Sequence, residues 1–174
     1  KLYNKSTDTT PSKLTPEGVS IVAETGTGKT LAYQLPLVLW TLHKKLEYYK
    51  KQVDAGKKAY PFTSGLFVFP RNVLATDQYG AFEKLAELVN HIIDNSPLTG
   101  NDTTMCNFLK IRVANDYGGT GLPEKKEIYW YDKPDAIITN TSSLKRRLYD
   151  PVAHKVYQRG IDLIVYDEIH LYDG

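Results

Sequence analysis

Residues 23–30 have the types and the spacing needed to hold a chain of phosphates. They read Ala-Glu-Thr-Gly-Thr-Gly-Lys-Thr and lie between a short apolar run and an amphipathic stretch. Small residues let backbone N–H groups close around phosphate oxygens, and a helix that begins here adds the positive end of its dipole. Lys29 is then expected to reach the β- and γ-phosphates, and the Thr30 hydroxyl to bind the Mg²⁺ ion that bridges them. The candidate nucleotide-binding residues are Glu24, Thr25, Gly26, Thr27, Gly28, Lys29 and Thr30.

The loop departs from the usual phosphate-binding pattern at one position, because Ala23 stands where the pattern has glycine. The alternative interpretation is a glycine-rich turn that a Lys-Thr pair follows by chance. The agreement of strand, loop and helix favours the phosphate site over that alternative.

Two acidic residues follow the apolar run near the end of the sequence. Ile161–Tyr166 leads directly into Asp167 and Glu168. Buried carboxylates are costly, so acids at the end of a buried strand need a reason, and the carboxyl ends of parallel strands face the ligand crevice. We expect Asp167 to hold Mg²⁺ through water and Glu168 to act as general base toward the attacking water. The alternative is a surface turn with solvated acids.

His170 lies two residues beyond Glu168. It is either a polar sensor of the nucleotide state or a partly exposed loop histidine, and its position leaves both interpretations open. The candidate catalytic residues are therefore Lys29, Glu168 and His170, and the candidate metal ligands are Thr30 and Asp167.

A parallel sheet would position these residues. Five short apolar runs without strict alternation predict strands that are buried on both faces. Helical spacing between them predicts helices that alternate with the strands, and therefore an α/β fold with a mostly parallel sheet and helices on both faces. Pro36 is expected to kink or divide the first helix. The predicted strands are Val19–Ala23, Leu66–Phe69, Leu109–Val113, Ala136–Thr139 and Ile161–Tyr166, and the predicted helices are Leu31–Lys51, Phe82–Ile93 and Ser142–Tyr149.

Composition excludes several classes of protein. The 174 residues correspond to one ordinary domain, and the 24% of charged residues is near average. One cysteine, Cys106, excludes an internal disulfide framework and a Cys-based zinc site. No run of 18 apolar residues is present, so no transmembrane helix is expected. A net charge of +2 is too small to indicate nucleic acid by itself.

The domain is expected to span residues 19–174, after a polar tail at 1–18. Two stretches fit the alternating pattern poorly and are interpreted as surface insertions. One is Lys44–Ser64, which is basic and rich in tyrosine, and the other is Asn95–Asn107, which is polar and turn-like.

The phosphate loop together with Asp167-Glu168-Ile169-His170 resembles the superfamily 2 helicases and translocases, in their DExH branch. Three segments between them come in the family's order, each just after a predicted strand. Residues 69–78 resemble motif Ia in the form found in several prokaryotic DNA helicases. Residues 117–121 resemble the glycine element, and residues 138–144 resemble motif Ib.

The resemblance implies a RecA-like ATPase fold, the first of two in the parent protein, with ATP and Mg²⁺ as ligands. It also implies that the three intermediate loops hold one nucleic-acid strand, which backbone N–H groups and polar side chains can do without reading bases. The alternative is ordinary turn chemistry after strands. The implied nucleic-acid contacts are Pro70, Arg71, Asn72, Gln78, Gly119, Thr139, Asn140 and Thr141.

Some family features are not found in the sequence. No glutamine precedes Gln34, so the adenine-contacting glutamine is missing, displaced or outside the sequence. The Ser/Thr motif and the second RecA-like domain with its arginine fingers are expected beyond Gly174. Because such a finger contributes about 10³–10⁵ in rate in related systems, we expect the chain alone to bind nucleotide weakly and turn over slowly.

The leading functional hypothesis is an ATP-driven helicase or translocase that acts on nucleic acid in the cytoplasm. DNA is favoured by the form of motif Ia and by the Asp-Glu-Ile-His ending. The first alternative is an RNA-dependent ATPase or remodeller of the same superfamily. The second is a nucleotide-gated interaction module in a larger defence complex, which the basic segment Lys44–Tyr60 motivates, although a solvated helical face is the favoured explanation of that segment.

Overall fold

Among the described residues, four strands form one parallel sheet. The computed structural model describes residues 28–97, 100, 102–121, 125, 128–129, 133–158 and 161–168. Several predicted features lie outside these residues. They are the tail 1–18, the strand Val19–Ala23, the loop residues 24–27 and, near the end of the sequence, His170. The elements are, in order, α1 (Lys29–Asp54), β1 (Gly65–Phe69), α2 (Asn72–Asp94), α3 (Thr103–Leu109), β2 (Val113–Asp116), β3 (Ala136–Asn140), α4 (Thr141–Leu148), α5 (Pro151–Gln158) and β4 (Leu163–Tyr166).

The strands lie in the order β2-β3-β1-β4, and each neighbouring pair is parallel. Leu66 of β1 is in register with Ile137 of β3 and with Ile164 of β4. The two central strands, β1 and β3, are buried along their whole length, as expected for apolar runs without alternation. The prediction of an α/β fold with a mostly parallel sheet is confirmed. All four strands therefore end at one edge of the sheet.

Helices cover both faces of this sheet, as predicted. Alternate side chains of β1 point to opposite faces, and each set belongs to its own apolar cluster. The first cluster includes Leu37, Val38, Phe67, Phe69 and Phe82, from α1, β1 and α2. The second includes Leu66, Val68, Ile137, Ala153 and Val156, from β1, β3 and α5.

The first helix is longer than predicted and Pro36 does not divide it. α1 runs without interruption from Lys29 to Asp54. Pro36 lies on the exposed side of the helix, where a carbonyl that loses its intrahelical partner can be solvated. Packing of Leu37 and Val38 in the core then outweighs the lost hydrogen bond.

The interpretation of residues 44–64 as a surface insertion is wrong for their first half. Lys44–Asp54 is the end of α1, and the Lys45 side chain is completely buried. Its Nζ lies 2.7 Å from Asp135 Oδ1 and 2.8 Å from Oδ2, and donates to the Lys110 carbonyl at 2.7 Å. Burial lowers the pKa of Lys45 and raises that of Asp135, while their mutual attraction opposes both shifts. A lysine in a basic stretch is thus part of the core because its charge is paired.

The predicted strand Leu109–Val113 is also displaced. Leu109 is the last residue of α3, and β2 begins only at Val113. Asp102 causes the shift, because its side chain accepts a hydrogen bond from the Met105 N–H at 2.9 Å and starts a helix inside the stretch that was interpreted as an insertion.

The remaining helices are close to expectation. α2 contains the predicted Phe82–Ile93 but begins ten residues earlier, and α4 matches the predicted Ser142–Tyr149 within one residue at each end. α5 was not predicted. Within the described ranges, no helix has the length and apolar character that crossing a membrane requires.

Candidate functional site

The start of α1 and the end of β4 meet at the carboxyl edge of the sheet. Lys29 Nζ lies 3.8 Å from Glu168 Oε1. The backbone N–H of Asp167 donates to the Val68 carbonyl at 3.1 Å, which fixes the acidic pair beside the end of β1. Residues that are 139 positions apart (168 − 29) in the sequence are therefore brought to one place by the parallel sheet.

Gly28 precedes α1 in the left-handed region, with φ of 86°. This conformation favours glycine, so the glycine before Lys29 has a backbone reason. Gly28 has no side chain that could cap the helix, and the first turn contains no acidic residue. The first N–H groups of α1 and the positive end of its dipole are therefore suited to an anion.

Glu168 also adopts a left-handed backbone, with φ of 50°. Among the described residues, it is the non-glycine residue with a positive φ, and its N–H donates to Asp167 Oδ1 at 3.1 Å. Such a conformation costs about 1–3 kcal/mol and persists where surrounding structure imposes it, often at functional sites. Here it accompanies a carboxylate that is directed toward Lys29.

The oxygen atoms of Thr30 and Asp167 are donors of the kind that Mg²⁺ prefers. Both residues lie close to the Tyr33 hydroxyl. Burial and the negative charge of Asp167 raise the pKa of Tyr33 to about 12, while a hydrogen bond from Thr30 opposes that increase. No cluster of three His, Cys, Asp or Glu side chains occurs in the described part of the chain. Such a donor set fits a Mg²⁺ ion held by one or two protein groups together with phosphates and water.

Two more helices start at the same edge, and a pair of asparagines joins them. Asn72 is the first residue of α2, and Asn140 ends β3. Asn140 Oδ1 accepts a hydrogen bond from the Ser143 N–H at 2.7 Å, which caps α4, and its Nδ2 donates to Asn72 Oδ1. Arg71 and Thr141 are at least partly exposed beside this pair. The predicted motifs Ia and Ib are thus neighbours in space.

The glycine element forms a tight turn after β2. Thr120 Oγ1 donates to the Asn115 carbonyl at 2.9 Å and accepts from the Tyr117 N–H at 3.1 Å. Gly118 and Gly119 are exposed. A Cβ atom on Gly119 would lie 2.7 Å from the Tyr117 ring, so a side chain here would require that ring to move.

Thr139 and Gln78, two further predicted nucleic-acid contacts, also have partners inside the protein. Thr139 is completely buried, and its hydroxyl donates to the Asp116 carbonyl at 2.6 Å. Gln78 Oε1 accepts a hydrogen bond from the Tyr33 hydroxyl at 3.0 Å. Contacts of these two side chains with a nucleic acid stay predictions, and their present partners do not favour them.

The sequence analysis missed a buried carboxylate next to the glycine element. Asp116 is completely buried, and Arg147 Nε and Nη2 donate to its two oxygens at 2.8 and 2.9 Å. The Tyr129 hydroxyl donates to the same carboxylate at 2.5 Å, and the Arg147 guanidinium lies 5.3 Å from the Tyr129 ring centre. Burial raises the pKa of Tyr129, and the hydrogen bond with Asp116 raises that of Arg147. This network fixes α4 to the end of β2.

A small cavity with basic side chains lies beside the glycine element and α4. A cavity of about 70 Å³ is lined by Lys125, Ser143, Arg146 and Arg147. Arg146 Nη2 is 3.6 Å from where a Cβ atom on Gly118 would be. The size and charge of this cavity suit a phosphate group.

Comparison with known protein families agrees with this arrangement. A family model described as DEAD/DEAH box helicase matches residues 6–174. No curated protein matches the chain. The family match covers the start of α1, the acidic pair after β4 and all the strands between them. The chain therefore belongs to the DEAD/DEAH box helicase family, as a helicase RecA-like domain of superfamily 2.

Proposed function

We propose that this domain hydrolyses ATP to drive a helicase or translocase along a nucleic acid, with DNA favoured over RNA. The observation that carries the proposal is the distance of 3.8 Å between Lys29 Nζ and Glu168 Oε1. It brings a cation and a carboxylate together beside the space where a terminal phosphate would lie, and this supports a phosphate-binding role for Lys29 and a general-base role for Glu168.

The residues around this space divide the work of hydrolysis. Lys29 neutralises charge on the β- and γ-phosphates, and Thr30 and Asp167 would hold the cation. Bound Mg²⁺ would stabilise the charge that develops on the phosphate oxygens. Glu168 accepts the proton of the attacking water. The roles of Glu24, Thr25, Gly26, Thr27 and His170 stay predictions, because these residues lie outside the described part of the chain.

In this proposal, the nucleic-acid surface consists of the residues that follow the strand ends beside the nucleotide site. Arg71 and Asn72 at the start of α2, Thr141 at the start of α4, and Gly119 after β2 follow three neighbouring strands of the sheet. Backbone N–H groups and cations contact phosphates without reading bases, so this surface suits a motor that moves along any sequence.

The interaction-module alternative has little support from the described residues. The segment that motivated it is partly the buried end of α1, with Lys45 and Tyr49 inside the protein. Lys58 and Tyr60 stay on the surface, and the Lys58 ammonium lies 5.8 Å from the Tyr60 ring centre. An exposed lysine beside an exposed tyrosine is ordinary for a solvated surface, so this pair adds no support to the module.

Steady-state ATP hydrolysis by the complete protein tests the proposal. We would compare no polymer, single-stranded DNA, duplex DNA and RNA, with Lys29→Ala as the blank. Lys44→Ala is the matched control, since Lys44 is on the same helix but pairs with Asp162 at 2.6 Å. We expect hydrolysis that depends on Lys29 and is stimulated by DNA. Stimulation by RNA alone would favour the RNA-dependent alternative, and indifference to every polymer would remove the nucleic-acid role.

A further inference from the structure

We infer that Tyr33 and Gln78 are positioning residues that link the nucleotide site at the start of α1 to the nucleic-acid surface at the start of α2. The inference rests on the proposed function. It assigns to a specific side-chain pair the communication that an ATP-driven motor needs between its two ligands.

The first part of the link is the hydrogen bond between the two helices. The Tyr33 hydroxyl donates to Gln78 Oε1 at 3.0 Å, across 45 positions of sequence. The Tyr33 ring packs against Phe67 of β1, with ring centres 5.6 Å apart. Phe67 in turn meets Phe82 of α2 edge-on at 5.4 Å. The hydroxyl is therefore held in place by a core contact that α1 and α2 share.

The second part joins Tyr33 to the predicted metal ligands. Tyr33 follows Thr30 by one helical turn, so both side chains lie on the same side of α1. A phenol has one proton to donate, and that proton goes to Gln78. The lone pairs of its oxygen stay available to the Thr30 hydroxyl, one turn earlier on α1.

The direction in which each hydroxyl group donates its hydrogen bond is what links the cation site to Gln78. A threonine hydroxyl that ligates a cation through a lone pair still has its proton, and it can donate that proton only in the directions the cation leaves open. Occupation of the cation site therefore constrains the Thr30 hydroxyl, and through it the position of Tyr33.

The third part leads from Gln78 to the surface. Gln78 lies six residues (78 − 72) after Asn72 on the continuous helix α2, so a shift at Gln78 moves the first turn of that helix. Asn72 is bonded to Asn140, and the shift reaches the start of α4 as well. These are contiguous contacts between named groups, which is the physical form that coupling between sites takes.

The experiment measures coupling as a ratio of affinities in the complete protein. The protein is titrated with a fluorescent non-hydrolysable ATP analogue in the presence of Mg²⁺, once with saturating oligo(dT) and once without it. The ratio of the two dissociation constants is the coupling factor. The variants are Tyr33→Phe, which keeps the ring, Gln78→Met, which keeps the length and the apolar stem, and the double variant. Tyr79→Phe is the matched control, since the neighbouring Tyr79 donates to Glu83 within α2 at 2.8 Å.

We expect the coupling factor to fall roughly 3- to 10-fold in each single variant, which corresponds to the loss of one hydrogen bond. The double variant should fall no further, because both changes remove the same link. Tyr79→Phe should keep the wild-type factor. If Tyr33→Phe unfolds the protein, Gln78→Met alone gives the same test.

Two outcomes overturn the inference. One is an unchanged coupling factor in the variants while the wild type is coupled. The other is an equal loss of both affinities at a constant ratio, which is the signature of a purely structural role. A wild type whose hydrolysis no polymer stimulates is a different failure, because it removes the proposed function on which the inference rests.

Discussion

The side-chain amide of Asn140 donates a hydrogen bond to the side-chain oxygen of Asn72, and this bond joins the starts of two helices that follow neighbouring strands. The same amide group of Asn140 caps α4 through its oxygen. One residue therefore stabilises a helix and fixes the distance between the two predicted nucleic-acid motifs.

The two functions of Asn140 can be separated by comparison with Asn72. Asn140→Ala removes both the cap and the link, and we expect it to lower the free energy of unfolding by about 1–2 kcal/mol. Asn72→Ala removes only the link at an exposed position, and we expect a loss of about 0.5 kcal/mol or less. Urea denaturation measures both. Equal losses in the two variants would show that the cap of α4 contributes nothing.

Glu168→Gln should bind ATP and hydrolyse it about 10²- to 10⁴-fold more slowly than the wild type, because the amide cannot accept the proton of the attacking water. Single-turnover hydrolysis and nucleotide titration of the complete protein measure the two steps. Glu87→Gln is the control for the exchange, since Glu87 is exposed on α2. Normal turnover by Glu168→Gln would make the assignment of the general base wrong.

The sheet was predictable because its central strands are short apolar runs with no polar face. Phe67, Ile137 and Ile138 are buried whichever way the strand is turned, so local pattern and tertiary environment agree. The approach of Lys29 to Glu168 was predictable for a related reason. Glu168 follows the end of β4, the phosphate loop is expected to follow another strand, and parallel strands bring their ends together.

What sequence could not predict depends on partners that are far away along the chain. Lys45 is buried because Asp135 meets it 90 residues later. Asp116 is buried because Arg147 pairs with it from 31 residues away. In both cases, a charged residue is expected on the surface until its partner is known. The spacing of neighbouring residues in the sequence does not identify that partner.

The buried pair of Lys45 and Asp135 should be far more sensitive to mutation than the exposed pair of Lys44 and Asp162. Lys45→Met leaves the Asp135 carboxylate buried without its cation, and we expect a loss of about 3–5 kcal/mol in the free energy of unfolding. Lys44→Met breaks a pair at 2.6 Å that is partly exposed, and we expect at most about 1 kcal/mol.

Adjacent lysines on one helix thus provide the comparison, with urea denaturation as the measurement. The double variant Lys45→Met/Asp135→Leu should recover much of the loss, because no charge stays buried alone. Similar losses for Lys44→Met and Lys45→Met would contradict the burial argument.

Asp102 should give the domain part of its acid sensitivity. Hydrogen bonds from the Met105 N–H and the Tyr49 hydroxyl hold the pKa of Asp102 below its usual value of 3.8. A carboxyl group whose pKa is depressed by folding contributes its full stability above the usual value, and loses that contribution as pH falls through the lower folded value. Asp102→Asn keeps the capping oxygen but does not titrate.

The variant should therefore lose less stability than the wild type between about pH 5 and about pH 3. Thermal unfolding at both pH values measures this difference. Asp77→Asn, an exposed exchange on α2, controls for the loss of a carboxylate. Parallel pH profiles of Asp102→Asn and the wild type would argue against a depressed pKa at Asp102.

Arg146 should contribute a phosphate contact. It lines the basic cavity next to Gly118, while its neighbour Arg147 is occupied by Asp116. Arg146→Ala should weaken binding of every nucleic-acid sequence to a similar extent and reduce the salt dependence of binding by about one ion, because one phosphate contact is lost. Lys145→Ala is the matched control, since Lys145 is exposed on the same helix but does not line the cavity. Fluorescence anisotropy at several salt concentrations measures both variants. An identical salt slope for Arg146→Ala and Lys145→Ala would mean that the cavity does not hold a phosphate, and that the nucleic acid depends on helix starts alone.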